Sequence, residues 1–329
     1  MFIVTGGAGF IGSNLVKKLE DLFPTSEVVV ADVFGASEKW QNIVKRFNIS
    51  TLIDPSELLN FLDANVSKIQ AIFHLGAISS TVERDVDLII NSNVRLSRDL
   101  WNWCTHHDTP FIYASSAATY GDGEHGFSDD MTYENLRKLR PLNAYGWSKH
   151  FFDLQAMRLS KENKCPPQWA GLKFFNVYGP NEDHKGGQKS VIATFTPQIQ
   201  KDGKIRLFKS NDPLFKDGEQ LRDFVWVEDC VNVMIWLYQN PSVSGLFNVG
   251  TGEARSFNDL AKAVFKALSK PTMIEYIDMP ETLQNKYQNF TEASLTNLRK
   301  AGFSQSFTQI EEGVRLYVQN FLMKPDPYL

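Results

Sequence analysis

Short apolar runs separated by longer amphipathic stretches set the rhythm of this chain. Phe2-Ile3-Val4 has the length and character of a buried strand, and from Ser13 to Leu19 the apolar residues Leu15, Val16 and Leu19 recur on one face of a helix. Further runs follow in EVVVADV, AIFHLGA (71–77), FIYASSA (111–117) and GLKFFNVYG (171–179), with intervals long enough for helices between them. RDFVWVEDC (222–230) and GLFNVGTG (245–252) each precede a helical pattern, CVNVMIWLYQN and FNDLAKAVFKAL. Strands alternating with helices predict a parallel sheet covered on both faces, a doubly wound α/β fold.

The first strand runs straight into TGGAGFIG, where Gly7, Gly9 and Gly12 fit G-x-G-x-x-G between a strand and a helix. Glycine there permits a tight turn, lets backbone approach a pyrophosphate and lets helix pack on strand, so a Rossmann dinucleotide site is expected. The helix N-terminus would then receive the phosphates. Asp32, twenty positions after Gly12 at the end of the second run, stands where such folds meet the adenosine ribose. Asp32 favours NAD if it takes a free 2′-hydroxyl. Lys39 could instead meet a 2′-phosphate or stand in solvent, so on these residues NAD and NADP both remain open.

The segments GPNEDHKGGQKS and KSNDPLFKDGEQ are polar and glycine-bearing, suited to loops over a site. With the chain beyond about 255 they predict a smaller, discontinuous substrate-binding domain. The expected division is 1–180 plus 223–255 for the dinucleotide domain and 181–222 plus 256–329 for the smaller one. At 329 residues, with 43% hydrophobic and 22% charged residues and a net charge of −4, the chain reads as an ordinary soluble globular protein. No basic block points to nucleic acid. Cys104, Cys165 and Cys230 are widely spaced, which argues against a disulfide framework or a metal site and suits a cytoplasmic setting. No apolar run approaches a membrane span, and the first strand begins at residue 2, which leaves no room for a removable leader.

Chemistry is carried by YASSAATYG and NAYGWSKHFFD. Tyr145 and Lys149 stand four apart, on one face of a helix. A lysine cation beside a phenol favours phenolate, so the tyrosine can exchange a proton with an alcohol while hydride moves to a nicotinamide. Ser115 or Ser116, at a strand end, can donate to the same substrate oxygen.

With TGGAGFIG as the cofactor turn and YGWSK as the catalytic helix, the chain resembles the extended short-chain dehydrogenase/reductase family. FNVYGP, HKGG, RDFVWVEDC, FNVGTG and KYQNFTEASLTNLR, in that order, resemble the ADP-L-glycero-D-manno-heptose 6-epimerases within it, over essentially the whole chain. The resemblance implies an NADP-dependent epimerase acting at carbon six of an ADP-heptose sugar nucleotide, in the route to the lipopolysaccharide inner core. It implies two proton-handling residues, Tyr145 and Lys185, with Ser116 and Lys149 assisting. Taken alone, Lys185 at a loop tip would read as an exposed cation. Around the cofactor it implies Phe10, Ile11, Asp32, Val33, Lys39, Leu75, Gly76, Ala77, Ile78, Ser79, Asn93, Lys149, Val177 and Lys185. Around the substrate it implies Ser116, Asn176, Gly187, Thr194, Phe208, Lys209, Ser210, Asn211, Arg222 and Tyr287. Arg222 suits a phosphate, because guanidinium forks onto oxyanions. A homo-oligomer is implied, with a pentamer the leading case.

The chain departs from the family pattern at Gly187, where serine is usual, at Thr194, where histidine is usual, and at Ser92, where an asparagine is expected beside Asn93. Residues 211–219 read as a small insertion. The rival readings are a UDP-hexose 4-epimerase, a dehydratase, or a non-catalytic dinucleotide sensor. A dehydratase would need an Asp-Glu pair next to the strand-end serine, which SSAATYG does not supply. A sensor would not need the Ser-Tyr-Lys set.

Overall fold

The structure is a computed structural model that describes residues 1–280 and 288–329. Its frame is a parallel sheet built from β1 (Phe2–Thr5), β2 (Val28–Ala31), β3 (Ile49–Ile53), β4 (Ala71–His74), β5 (Phe111–Ser116), β6 (Trp169–Phe174) and a last strand, Gly245–Val249. The spatial order is Gly245–Val249, β6, β5, β4, β1, β2, β3, every pair parallel. The expected doubly wound α/β fold is present. β3 is an element the apolar pattern did not announce: it lies at the sheet edge, and its residues alternate between half-buried and exposed until Ile53.

Successive residues of β1 feed opposite layers, as a pleated strand requires. Phe2 and Val4 join Leu15, Val16 and Leu19 of the Phe10–Leu22 helix and Met234 of the Val227–Gln239 helix. Ile3 packs on the other face with Trp101, Phe111, Tyr113 and Phe152. A third core, around Tyr178, Phe195, Trp226, Val264 and Val314, lies under the smaller layer. Leu298, Phe303 and Phe307 leave that layer and pack into the sheet's own core.

The run GLKFFNVYG divides. Residues through Phe174 stay in the sheet, while Asn176–Tyr178 peels away to pair in parallel with Phe224–Trp226. The chain thereby carries its backbone from the sheet to the smaller layer directly over the carboxyl ends of the strands, where ligands bind in open α/β sheets. Two further short pairings brace that layer: Ile205–Phe208 with Ile274–Ile277, and Leu221–Arg222 with Arg255–Ser256. Among the described residues no helix is long and apolar enough to cross a membrane.

β6 depends on a glycine at its centre. A Cβ on Gly171 would fall 2.4 Å from the Tyr113 phenol oxygen and 2.5 Å from Leu246 Cδ2. Gly171→Ala is therefore expected to destabilise the fold by about 1–3 kcal/mol through overpacking, measured as a lowered urea midpoint at unchanged slope. An unchanged midpoint would show that the sheet relaxes around the methyl group.

Candidate active site

The floor of the cleft is the turn between β1 and the Phe10–Leu22 helix. Gly6 has φ +67°, and a Cβ there would lie 2.7 Å from Gly76 Cα. A Cβ on Gly12 would lie 2.0 Å from the Gly6 carbonyl oxygen. The backbone closes this tightly because neither position carries a side chain. Gly6, Gly9, Phe10, Ile11 and Gly12 line a cleft of about 690 Å³. Gly7 takes a different part from the expected one. It packs behind the turn, where a Cβ would meet Val30 at 2.8 Å, and Gly6 holds the cleft-facing place. The helix starts with no side-chain cap and no acid in its first turn, so its N–H groups keep their positive end toward the cleft.

Asp32 sits at the cleft rim, accepting hydrogen bonds from the backbone N–H of Ala8 (2.9 Å) and of Val33 (2.8 Å). Lys39, also on the rim, pairs with the same carboxylate at 2.7 Å. The lysine is thus neither loose in solvent nor separate from Asp32. The Val33 side chain is largely exposed. Leu75, Gly76, Ala77 and Ser79 form one wall, with Gly76 N–H donating to Thr5 Oγ1 at 3.0 Å. Asn93 is fully buried and does not face the cleft: it exchanges hydrogen bonds with the Ile78 backbone (2.8 and 3.0 Å) and donates to Ser148 Oγ (3.0 Å). It fastens that wall to the Ala144–Lys161 helix.

That helix begins at Asn143, whose side chain accepts the Gly146 N–H at 2.8 Å, and presents Tyr145 and Lys149 to the cleft one turn apart. Of the two candidate serines, Ser115 turns to Asp153, donating at 2.7 Å, while Ser116, whose Oγ accepts the Ala118 N–H at 3.1 Å, stands beside the Tyr145 phenol in the cleft. Burial raises the phenol's pKa, and Ser116 offsets it only in part. The depressed phenol expected from a neighbouring lysine is not the resting state, because desolvation outweighs the other influences. Burial also brings Lys149 down to about 8, with Asp153 opposing.

Lys185 lies on the turn Asp183–Gln188 that folds over the helix N-terminus. Its ammonium stands 5.2 Å from the Phe10 ring centre, and burial lowers its pKa against the pull of Glu182. Val177 and Gly187 line the cleft beside it. His184, which the sequence reading passed over, also lines the cleft, with Nδ1 3.1 Å from Asn42 Nδ2. Burial, then the charges of Lys39 and Lys185, push it down to about 4. His74, likewise missed, is sealed between Thr5 and Ser97 and held neutral, at about 3, by burial and the Lys149 charge.

A second hollow of about 550 Å³ shares Thr81 with the first and contains Arg222 and Gln288. Arg222 is buried; its guanidinium donates to the carbonyls of Leu221 and Gln288 and lies 5.6 Å from the Phe257 ring centre. Ser116 and Gly187 line the main cleft, whereas the expected substrate residues Asn176, Thr194 and Phe208–Asn211 line neither hollow. Asn176 is exposed and accepts from Thr291 Oγ1 at 3.3 Å. Thr194 is exposed on the Val191–Asp202 helix and turns its hydroxyl back to the Ser190 carbonyl. Phe208 ends its strand, Lys209 pairs with Asp278 at 2.9 Å, and the Ser210 N–H is taken by Asp217 at 2.8 Å, with Asn211 following. Asp217 thus closes the 210–217 segment, within the stretch expected to be an insertion, into a loop. Tyr287 lies outside the described residues.

Comparison with known proteins places this geometry. A model of the NAD dependent epimerase/dehydratase family matches residues 2–250. The ADP-L-glycero-D-manno-heptose-6-epimerase of Nitratidesulfovibrio vulgaris (strain Hildenborough) is 50% identical over 330 residues, 100% of each chain, and that of Fusobacterium nucleatum is 46% identical over 337 residues, again 100% of each. Among solved structures, the ADP-L-glycero-D-manno-heptose-6-epimerase of Helicobacter pylori superposes with a TM-score of 0.78 at 27% identity, over 97% of this chain and 95% of that one. The UDP-glucose 4-epimerase of Thermus thermophilus, solved with NAD, shares the fold at 24% identity and a TM-score of 0.71, over 96% of each chain. Dependence on a nicotinamide dinucleotide comes with the matched family, and the bare turn at Gly6 and Gly12 suits the diphosphate of such a ligand. Because the match runs from the first strand of the sheet to its last, taking in both that turn and the Tyr145 helix, the chain belongs to the NAD dependent epimerase/dehydratase family.

Proposed function

We propose that this protein interconverts ADP-D-glycero-D-manno-heptose and ADP-L-glycero-D-manno-heptose, inverting carbon six by transient oxidation and re-reduction with a tightly held dinucleotide. The observation that carries the reading is that two groups able to handle protons, Tyr145 and Lys185, open into one cleft from different elements. An epimerase needs that, because the carbon-six hydroxyl points in opposite directions in its two epimers. Full-length identity to enzymes of that name supports the substrate.

The cofactor is read as NADP. Asp32 would take a ribose hydroxyl, and Lys39, released from Asp32, would take a 2′-phosphate. The cradle fits the rest of a dinucleotide: a Cβ at Gly12 would strike backbone, and the helix N-terminus brings N–H groups to the diphosphate. When bound, the nicotinamide supplies a reversible acceptor for the hydrogen on carbon six. The chain's residues do the rest. Ser116 and Tyr145 hold the substrate oxygen of one epimer and Tyr145 moves its proton; Lys185 does the same for the other; the Lys149 ammonium stabilises phenolate as it forms. Arg222 holds the diphosphate of the sugar nucleotide. In this reading residues 1–180 plus 223–255 carry the cofactor and 181–222 plus 256–329 carry the sugar. Asn176, Gly187, Thr194, Phe208–Asn211 and Tyr287 would contribute once substrate draws the smaller layer inward.

Incubating the protein with each ADP-heptose and, separately, with UDP-galactose tests the assignment by chromatography. Interconversion of the ADP-heptoses is expected, and turnover of UDP-galactose alone would replace this reading with a hexose 4-epimerase. Tyr145→Phe should lower kcat roughly 10²–10⁴-fold while bound dinucleotide, read by absorbance, is retained. Lys185→Ala should lose rate and part of the cofactor together, since its ammonium stands over the cradle at Phe10.

The Lys149 pKa of about 8 sets a pH limit. Below it the ammonium is present; as pH rises through it the charge that stabilises phenolate is lost, so kcat falls on the alkaline side. Lys149→Arg, whose guanidinium stays protonated, should move that limb to higher pH. A limb unmoved by this change would assign it to another group.

Carbon six has no neighbouring carbonyl to acidify its hydrogen, and Tyr145 and Lys185 reach only the oxygen-bound proton. Product formed in D₂O should therefore carry no deuterium at carbon six by mass spectrometry. Incorporation there would mean direct deprotonation of carbon and would remove the role given to both residues.

A further inference from the structure

Beneath Tyr145 and Lys149 lies a charged layer to which the chemistry above gives no part. Tyr145, Lys149 and Asp153 stand at four-residue intervals along one face of the Ala144–Lys161 helix. Asp153 is fully buried and accepts three hydrogen bonds: from the Tyr113 phenol (3.0 Å), the Ser115 hydroxyl (2.7 Å) and the Lys173 ammonium (2.6 Å). Lys173, also fully buried, lies opposite Ser115 in the β5–β6 register. It donates as well to Thr119 Oγ1 (2.8 Å), with its charge 5.3 Å from the Tyr120 ring centre. The Thr119 hydroxyl in turn donates to the carbonyl of Ser116 at 2.8 Å. Ser116, beside the phenol in the cleft lining, is thus held from both sides: through Ser115 by the carboxylate, and through Thr119 by the ammonium.

A wholly buried ion pair contributes little net stability compared with apolar residues of the same volume, because both ions give up their hydration. Its presence here therefore calls for a reason other than stability, and its connections lead to Ser116 and Lys149. We propose that Asp153 and Lys173 are a positioning pair for the proton-handling cluster: together they fix Ser116 against Tyr145, and Asp153 sets a negative charge beneath the Lys149 ammonium. The proposal rests on the reading of Tyr145 as a proton-handling residue. The ionisable groups around Lys149 and the pair are Tyr145, His150 and Asp153 on the Lys149 helix, His74 at the end of β4, Tyr113 on β5, Tyr120 on the turn after β5, and Lys173 on β6 behind Asp153. Burial, with the Lys173 charge, brings His150 down to about 4, so it is neutral. His74 is neutral, and Tyr113 and Tyr120 are held as phenols by burial. Asp153 is thus the anion in this set that opposes the desolvation of Lys149.

The test uses the full chain with its bound dinucleotide. The pH dependence of acetic anhydride labelling at Lys149 is read by mass spectrometry of its peptide, beside kcat and thermal stability. Asp153→Asn should move the Lys149 labelling midpoint down from about 8 by about one pH unit and lower kcat on the order of 10²-fold. Thr119→Val leaves both charges in place and removes the hydroxyl that joins the Lys173 ammonium to the Ser116 carbonyl. It should lower kcat about tenfold or more with the midpoint unmoved. The double change Asp153→Asn with Lys173→Met removes the unpaired charge, so stability should recover while kcat stays low. A role in folding alone would give the opposite: an unmoved midpoint in Asp153→Asn, wild-type kcat in Thr119→Val, or kcat recovering with stability in the double variant, any of which overturns the proposal. Should Asp153→Asn fail to fold, Thr119→Val and the double variant decide. A wild-type protein that turns over no ADP-heptose, while the Lys149 midpoint still moves in Asp153→Asn, would count against the substrate assignment and not against this pair.

Discussion

The close approach of backbone to backbone at Gly6, Gly12 and Gly76 is the constraint on which the site depends. β1, the wall after β4 and the first helical turn converge there with no room for a Cβ at Gly6 or Gly12 and little at Gly76. That closeness aims the uncapped helix N-terminus at the cleft, brings the Asp32 carboxylate within reach of the Ala8 N–H, and lets the Thr5 hydroxyl hold Gly76. A side chain at Gly12 would push the helix off the strand, and the wall at 75–79 would lose its footing with it. The Tyr145 helix is tied to the same wall through Asn93 and Ser148, so the glycine turn and the Tyr145–Lys149 pair share one frame.

Burial is the second force at work in the cleft, and it acts against charge on every side. Lys149, Lys185, His74 and His184 are all pushed toward their neutral forms by desolvation, and the Tyr145 phenol is held in its neutral form by the same cause. Groups desolvated in this way are easily swayed by whichever charge arrives beside them. Opposing carboxylates then matter: Glu182 for Lys185 and Asp153 for Lys149. Asp153 is itself paired with the Lys173 ammonium at 2.6 Å, beneath the Tyr145 helix.

The smaller layer is organised differently. It has its own core around Trp226 and Val264, yet it is stitched to the sheet by the Asn176–Tyr178 strand and by Leu298, Phe303 and Phe307, which pack into the sheet's core. Arg222 lines a hollow that shares Thr81 with the main cleft, while Thr194 and the Phe208–Asn211 segment stand off from it. Arg222 is thereby buried near the cleft, while the outer segments lie at the surface of the smaller layer.

What the sequence alone determined are the features written in local pattern. Apolar runs at strand length, helical spacing between them and glycines crowded at one turn specify a parallel α/β sheet and a dinucleotide cradle, because those depend on periodicity and on the missing Cβ. Tyr145 and Lys149 were legible for the same reason, since four residues make one helical turn. Tertiary structure decided what depends on partners distant in sequence. Gly6 rather than Gly7 faces the cleft because Val30 of a neighbouring strand fills the space beside Gly7. Ser116 rather than Ser115 stands beside the phenol because Asp153 draws Ser115 the other way. Lys39 lies against Asp32, and β3 forms at the edge with too few buried residues to leave an apolar signature. The Asp153–Lys173 pair joins a helix to a strand twenty residues on, and no spacing rule links them. Their meeting depends on the sheet register that sets Lys173 beside Ser115 and on the helix packed across both.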